Sequence, residues 1–144
     1  MSAIAKYPEI MESLFMTKEF NSKGIYAVRL YVRGKPWLIT VDDRFLFHTK
    51  LDNLRFASYN VMDGSLWAPI LEKAIAKVKG NYYQLVAGID SNALRTLTGA
   101  PVFSYNLRNS TADFIWDKTR QATLVDYLSI ASVDGMGYSD SKKN

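Results

Sequence analysis

Between Ser65 and Gly80 the chain carries an apolar stripe that fixes much of what it can become. Trp67, Ile70, Leu71, Ala74, Ile75 and Val78 fall at i, i+3, i+4, i+7, i+8 and i+11. That is a 3.6-residue period, and it predicts an α-helix over Ser65 to Lys79 with one face to bury. Ser65 is placed to accept hydrogen bonds from the free amides of the first turn, and Gly80 suits the left-handed residue that closes a helix. Pro69 is tolerable only because it lies near the opening turn. A single apolar face needs a second layer to cover it.

The best candidate for that layer lies upstream. Gly24 to Val32 alternates as a strand does, with Tyr26, Val28, Leu30 and Val32 on one face. Gly34-Lys35-Pro36 reads as a turn and Trp37 to Val41 as a second strand, together an antiparallel hairpin. Leu54 to Ala57 is a candidate third strand. Ala3 to Phe15 reads as a helix interrupted at Pro8, with Ile10, Met11, Leu14 and Phe15 clustered after the break. Downstream, a shorter helix starts at Asp90 or Ser91, turns Ala93, Leu94 and Leu97 inward, and stops at Gly99-Ala100-Pro101. An extended Val102 to Tyr105, a helix near Thr111 to Gln121 and a strand near Tyr127 to Ala131 complete the pattern. Helices packed on a small antiparallel sheet make the expected class α+β. Tyr138 to Asn144 lacks apolar periodicity and reads as a flexible tail, leaving residues 1–137 as one domain.

The 144 residues include no cysteine and one histidine, His48. Disulfide scaffolds, thiolate zinc sites, iron–sulfur clusters and a thiol nucleophile are excluded for these residues. Eighteen Lys and Arg against 14 Asp and Glu give a net charge of +4. The cations are scattered rather than clustered, so nucleic acid is not the expected partner. Lys73 and Lys77 stand four apart on the predicted helix, next to Lys79, and read as a solvated face. No apolar run approaches the roughly 18 residues of a membrane span. No targeting signal is readable, and the expected location is intracellular with no compartment specified.

The residues that could carry chemistry are few. Asp42 and Asp43 are adjacent carboxylates after a strand, but neighbours on a strand point to opposite faces and do not easily share a site. Their expected role is a turn, one Asp capping backbone amides and the other pairing with Arg44 or Arg29. His48 has no second ligand of its kind and reads as a surface or turn residue. Tyr82 and Tyr83 are expected to pack beneath the preceding helix. No phosphate-binding glycine loop, nucleophile elbow or spaced carboxylate pair is present.

The order of segments is more specific than any one of these residues. Tyr26-Ala27-Val28-Arg29-Leu30-Tyr31, then Gly34, Trp37 and Val41-Asp42-Asp43-Arg44, resembles a strand pair of calpain-type cysteine proteases. The run Leu66-Trp67-Ala68-Pro69-Ile70-Leu71-Glu72-Lys73-Ala74-Ile75-Ala76-Lys77-Val78-Lys79-Gly80-Asn81-Tyr82 resembles that family's Trp, Leu-Glu-Lys-Ala, Ala-Lys and Gly-x-Tyr blocks. Ala3 to Glu9 is similar to the far end of the helix that carries the calpain nucleophile. Gly88, Ser91, Ala93-Leu94, Leu97-Thr98-Gly99 and Pro101 are similar to the family's next segment. The likeness runs from about Ser2 to Ala131.

The resemblance implies a partial papain-like core. It also implies a thiolate activated by a histidine that an asparagine orients. The nucleophile is expected just ahead of Met1, and the histidine in a Gly-His-Ala-Tyr-type segment near or beyond the last residues, with the asparagine further on. The closest echo is Gly135-Met136-Gly137-Tyr138, with Met136 where the histidine would fall; His48 does not match. Family members bind calcium through an acidic residue after Gly-x-Tyr, where this chain has Tyr83. No catalytic, cofactor-binding or metal-binding residue is therefore expected here, and no cofactor. The expected role is a non-catalytic structural or protein-interaction subunit whose incomplete core is covered by a protein partner. The alternative is a fragment of a calcium-dependent cysteine endopeptidase whose Cys, His and Asn come from another chain.

Overall fold

A computed structural model describes residues 6–48, 53–54, 64–85 and 90–131. The chain divides into two compact units, Met1–Ser104 and Tyr105–Asn144. The part of the opening helix before Lys6, most of the third strand and the tail from 138 lie outside the described residues. In the first unit, helix α1 (Pro8–Leu14) begins with its proline at the first turn, where the missing N–H costs nothing. Leu14 is its one buried residue.

Strands β1 (Ile25–Val32) and β2 (Lys35–Asp42) form an antiparallel pair, with Leu30 opposite Trp37, Val28 opposite Ile39 and Tyr26 opposite Val41. The turn falls one residue earlier than the sequence predicts. Arg33 (φ 52°) and Gly34 (φ 76°) are both left-handed, as in the primed two-residue turns that match strand twist. Lys35 and Pro36 thus join the strand. The pair flanking such a turn is hydrogen-bonded and the next is not, so the nitrogen of Pro36 faces away from β1 and the ladder loses nothing.

Short strands β3 (Phe47–His48) and β4 (Asn53–Leu54) pair with each other. Helix α2 (Trp67–Lys79) then packs on the hairpin and buries Pro69, Ile70, Leu71, Ala74 and Ala76. Its first turn departs from expectation: the capping position is Leu66 and no side chain caps it. Gly80 closes it at φ 103°. A 3-10 turn (Tyr82–Leu85) leads on to α3 (Asp90–Thr98), which packs against β1. Leu94 and Leu97 point inward as expected, but Ala93 is exposed and Thr96 is buried instead. The Thr96 hydroxyl is satisfied by donating to the Asn92 carbonyl at 2.8 Å.

The core thus joins Leu14, Tyr26, Val28, Leu30, Ile70, Leu71 and Leu97 from α1, the hairpin, α2 and α3. Fully burying a side chain such as Leu30 or Leu71 stabilises by about 1.5–3 kcal/mol. Helices on a small antiparallel sheet make the fold α+β.

In the second unit, a 3-10 turn (Leu107–Asn109) precedes helix α4 (Ala112–Leu124). The Thr111 hydroxyl accepts from the Phe114 amide at 3.3 Å and caps the helix. Tyr105 meets Phe114 edge to face, 5.4 Å between ring centres. None of residues 105–131 is buried. Residues 102–105 and 127–131 are irregular rather than extended strands.

Candidate functional site

The first unit carries its charge chemistry where β2 ends against α2. An open cleft of about 540 Å³ lies there, lined by Thr40, Asp42, Lys73, Lys77, Asn81 and Tyr82 among others. Lys73 and Lys77 are four apart, on one flank of the buried stripe of α2, from which a long side chain can reach a neighbouring strand. The Lys73 ammonium donates to Asp42 Oδ1 and to the Arg44 carbonyl, each at 2.5 Å, and lies 5.4 Å from the centre of the Phe45 ring. The Lys77 ammonium donates to the Thr40 carbonyl at 2.7 Å. Both lysines therefore tether helix to strand; Lys73 is half-covered rather than solvated, while Lys77 stays exposed as its spacing predicts.

Asp42 does cap a turn, accepting from the Arg44 amide at 2.9 Å. Its ionic partner is Lys73, not Arg44 or Arg29. The Lys73 hydrogen bond first, and the Arg44 amide second, hold the Asp42 carboxyl below its usual range against the opposing effect of burial. Arg29 instead donates to Met16 Sδ at 3.3 Å. The Asp43 carboxylate sits over Gly24, within 2.5 Å of where a Cβ at that glycine would be. Strand alternation thus sends the two aspartates to separate tasks.

Tyr82 is half-buried; burial, then the carboxylates of Glu72 and Asp42, push its phenol above the usual range and keep it protonated. Tyr83 is 81% exposed, contrary to the expected packing beneath the helix. Both tyrosines lie in the 3-10 turn (Tyr82–Leu85), and as consecutive residues of it they differ in exposure. His48 is half-buried on β3, and its Nδ1 is enclosed without a hydrogen-bond partner among the described residues. The Gly135–Tyr138 echo falls outside the described residues. The cleft therefore presents an ionised carboxylate held by an ammonium, a second ammonium held on a carbonyl and a protonated phenol. No poised acid–base pair results, because each charge is already committed to a partner.

A family model described as calpain family cysteine protease matches residues 1–143. The calpain-type cysteine protease DEK1 of Arabidopsis thaliana is 32% identical over 114 residues, covering 78% of this chain and 5% of that protein. Calpain-13 of Rattus norvegicus is 28% identical over 117 residues, 80% of this chain and 17% of the relative. The calpain-1 catalytic subunit of the same species is 34% identical over 90 residues, 62% of this chain and 12% of the relative. The chain spans between 5% and 17% of the length of these relatives.

Calcium does not fit the residues described. Tyr83 offers a phenol where the resemblance calls for a carboxylate. Among the described residues no group of three or more His, Cys, Asp or Glu is placed to hold a metal ion. No helix among them is long and apolar enough to cross a membrane.

Proposed function

The chain belongs to the calpain family of cysteine proteases, and from that premise we propose that it works as a non-catalytic, calpain-like structural or protein-interaction subunit. One observation carries this reading: none of the 144 residues is cysteine. The family's chemistry starts from a thiolate, and among the described residues no other side chain is placed to stand in for one. The sole imidazole, His48, has no thiol to activate. The charged groups of the cleft hold α2 to β2, which is a structural task.

The second reading is one piece of a calcium-dependent cysteine endopeptidase whose Cys, His and Asn come from another chain. In its favour, the relatives are named as proteases and the chain spans a small part of each. The two readings differ in one measurement. The chain is purified with its native partners and the assembly is treated with an epoxide probe directed at thiol-protease active sites. The non-catalytic reading expects no labelled protein and no casein hydrolysis with or without calcium. Covalent labelling of a tightly bound partner overturns it in favour of the split protease.

A further inference from the structure

Away from the cleft, the most unbalanced surface is the turn end of the β1–β2 hairpin. The register places Trp37 opposite Leu30, in the row that also holds Tyr26, Val28 and Val41. Leu30 is wholly buried and Trp37 is 57% exposed. The cover over one continuous apolar row stops partway across it. Leu38, which points to the other face, is 59% exposed.

The charge there is one-sided. Arg33 sits in the turn, Lys35 follows it and Arg29 lies opposite Leu38, while no acidic residue falls between Ser22 and Val41.

We propose that the Arg33–Leu38 end of the hairpin is a docking surface for a protein segment that presents apolar side chains flanked by carboxylates. This rests on the non-catalytic reading and gives it a location. Three observations select that occupant. First, Arg33 and Lys35 beside Trp37 complement acidic groups and repel a second copy bringing the same cations. Second, the main chain of β2 is poorly suited to adding a long strand. Its outward groups belong to Pro36, which has no N–H, to Leu38, to Thr40, whose carbonyl already accepts from Lys77, and to Asp42 at the far end beside the cleft. Recognition therefore falls to side chains. Third, the Trp37 row continues a packed interior, and completing it calls for side chains of matching shape, which a protein supplies and fluid acyl chains do not. Trp and Arg are also the residue types that most often carry the binding energy of a contact point.

The test places a photo-crosslinking phenylalanine analogue at position 37, and in a control at position 20, in the full chain purified with its native partners. Phe20 is 84% exposed and lies outside the hairpin. The expected result is a crosslink from position 37, absent from position 20, to a protein segment of net negative charge. The yield should fall at least about fivefold in ~0.5 M salt. It should fall similarly in Arg33→Asn/Lys35→Glu, where asparagine tolerates the positive φ at 33. Crosslinks to lipid, to a second copy, elsewhere in the same chain or to a segment without net negative charge overturn the proposal. So does a yield at position 37 no higher than at position 20, or one that ignores both salt and the charge changes. Thiol-probe labelling in the same preparation would overturn the non-catalytic reading alone, because the crosslink map is read independently of activity.

Discussion

The two strands of the hairpin are equally long and bonded residue for residue, yet they live in different surroundings. In β1, Tyr26, Val28 and Leu30 are buried and only Ile25 is exposed. In β2, Val41 alone is buried and six of the eight residues are exposed. The outer edge of β1 is met by the chain leaving α1. Met16 N–H donates to the Ala27 carbonyl at 2.9 Å, the Ala27 amide donates to Thr17 Oγ1 at 3.2 Å, and Asn21 Nδ2 donates to the Ile25 carbonyl at 2.8 Å. The outer edge of β2 receives Lys77 at Thr40. Trp37 is more apolar in bulk than Val28, so hydrophobicity does not decide which is buried. What decides it is whether another segment lies over the residue.

The largest test of that contrast is a pair of truncations across one rung. Leu30→Ala should cost about 2–5 kcal/mol, the range for emptying a filled core site. Trp37→Ala, its register partner, removes a larger side chain but should cost only about 1–2 kcal/mol, because more than half of that surface is already in water. Urea unfolding followed by far-ultraviolet circular dichroism reads both. Equal losses would mean that the row is evenly packed and that the asymmetry between the strands is not energetic.

A middle-sized test concerns the far face of β1. Gly99, just past the end of α3, has φ 69°, and a Cβ there would come within 2.5 Å of the Tyr31 ring. Gly99→Ala should therefore destabilise by about 1–3 kcal/mol, from left-handed strain together with overpacking. Combined with Tyr31→Ala, the overpacking part should vanish and leave the strain. The cycle should show coupling, as expected for groups in contact. Additive losses would remove α3 from the list of segments that cover β1.

The sequence revealed the elements that carry their own period. The stripe of α2 and the alternation of β1 are repeats of local spacing; the fold keeps the alternation, and of the stripe it buries Ile70, Leu71 and Ala74, leaves Trp67, Ile75 and Val78 half-buried and buries Pro69 and Ala76 instead. Caps were less legible: the expected Ser65 cap of α2 gives way to Leu66, and Thr111, expected only as the start of α4, caps it with a bond that spans three residues. What depends on distant partners was not legible. A strand over Tyr127 to Ala131 needs a neighbour to bond with, and no alternation within five residues supplies one. Tyr83 shares its composition with Tyr82, and only their successive places in one 3-10 turn put one of them outside. The tethers of the cleft join residues 31 and 37 positions apart. The one local hint was that Lys73 and Lys77 flank the buried stripe rather than stand opposite it.

The smallest expected effects lie in those tethers, where β2 makes its polar contacts with a helix. Lys73 is mostly covered, with its side chain 21% exposed, while Asp42 is 56% exposed. Solvent therefore screens the pair, and Asp42→Asn at neutral pH should cost under about 1 kcal/mol. The sign with pH follows from the lowered pKa of Asp42 in the folded chain, against an ordinary value of 3.8. The folded state holds the carboxylate more tightly deprotonated, so its stabilisation is complete above that ordinary value and is lost as pH falls through the folded pKa. The difference between wild type and Asp42→Asn should stay constant from neutrality down to about pH 5 and shrink as pH falls through the folded pKa. Lys73→Met should weaken that pH dependence by removing the chief cause of the lowered pKa, leaving the smaller part that the Arg44 amide supplies. Lys77→Met should leave it in place, because Lys77 donates to a carbonyl that does not titrate. If both lysine variants weaken it equally, the two tethers act as one network, and Thr40 is as much a part of the charge clamp as Asp42.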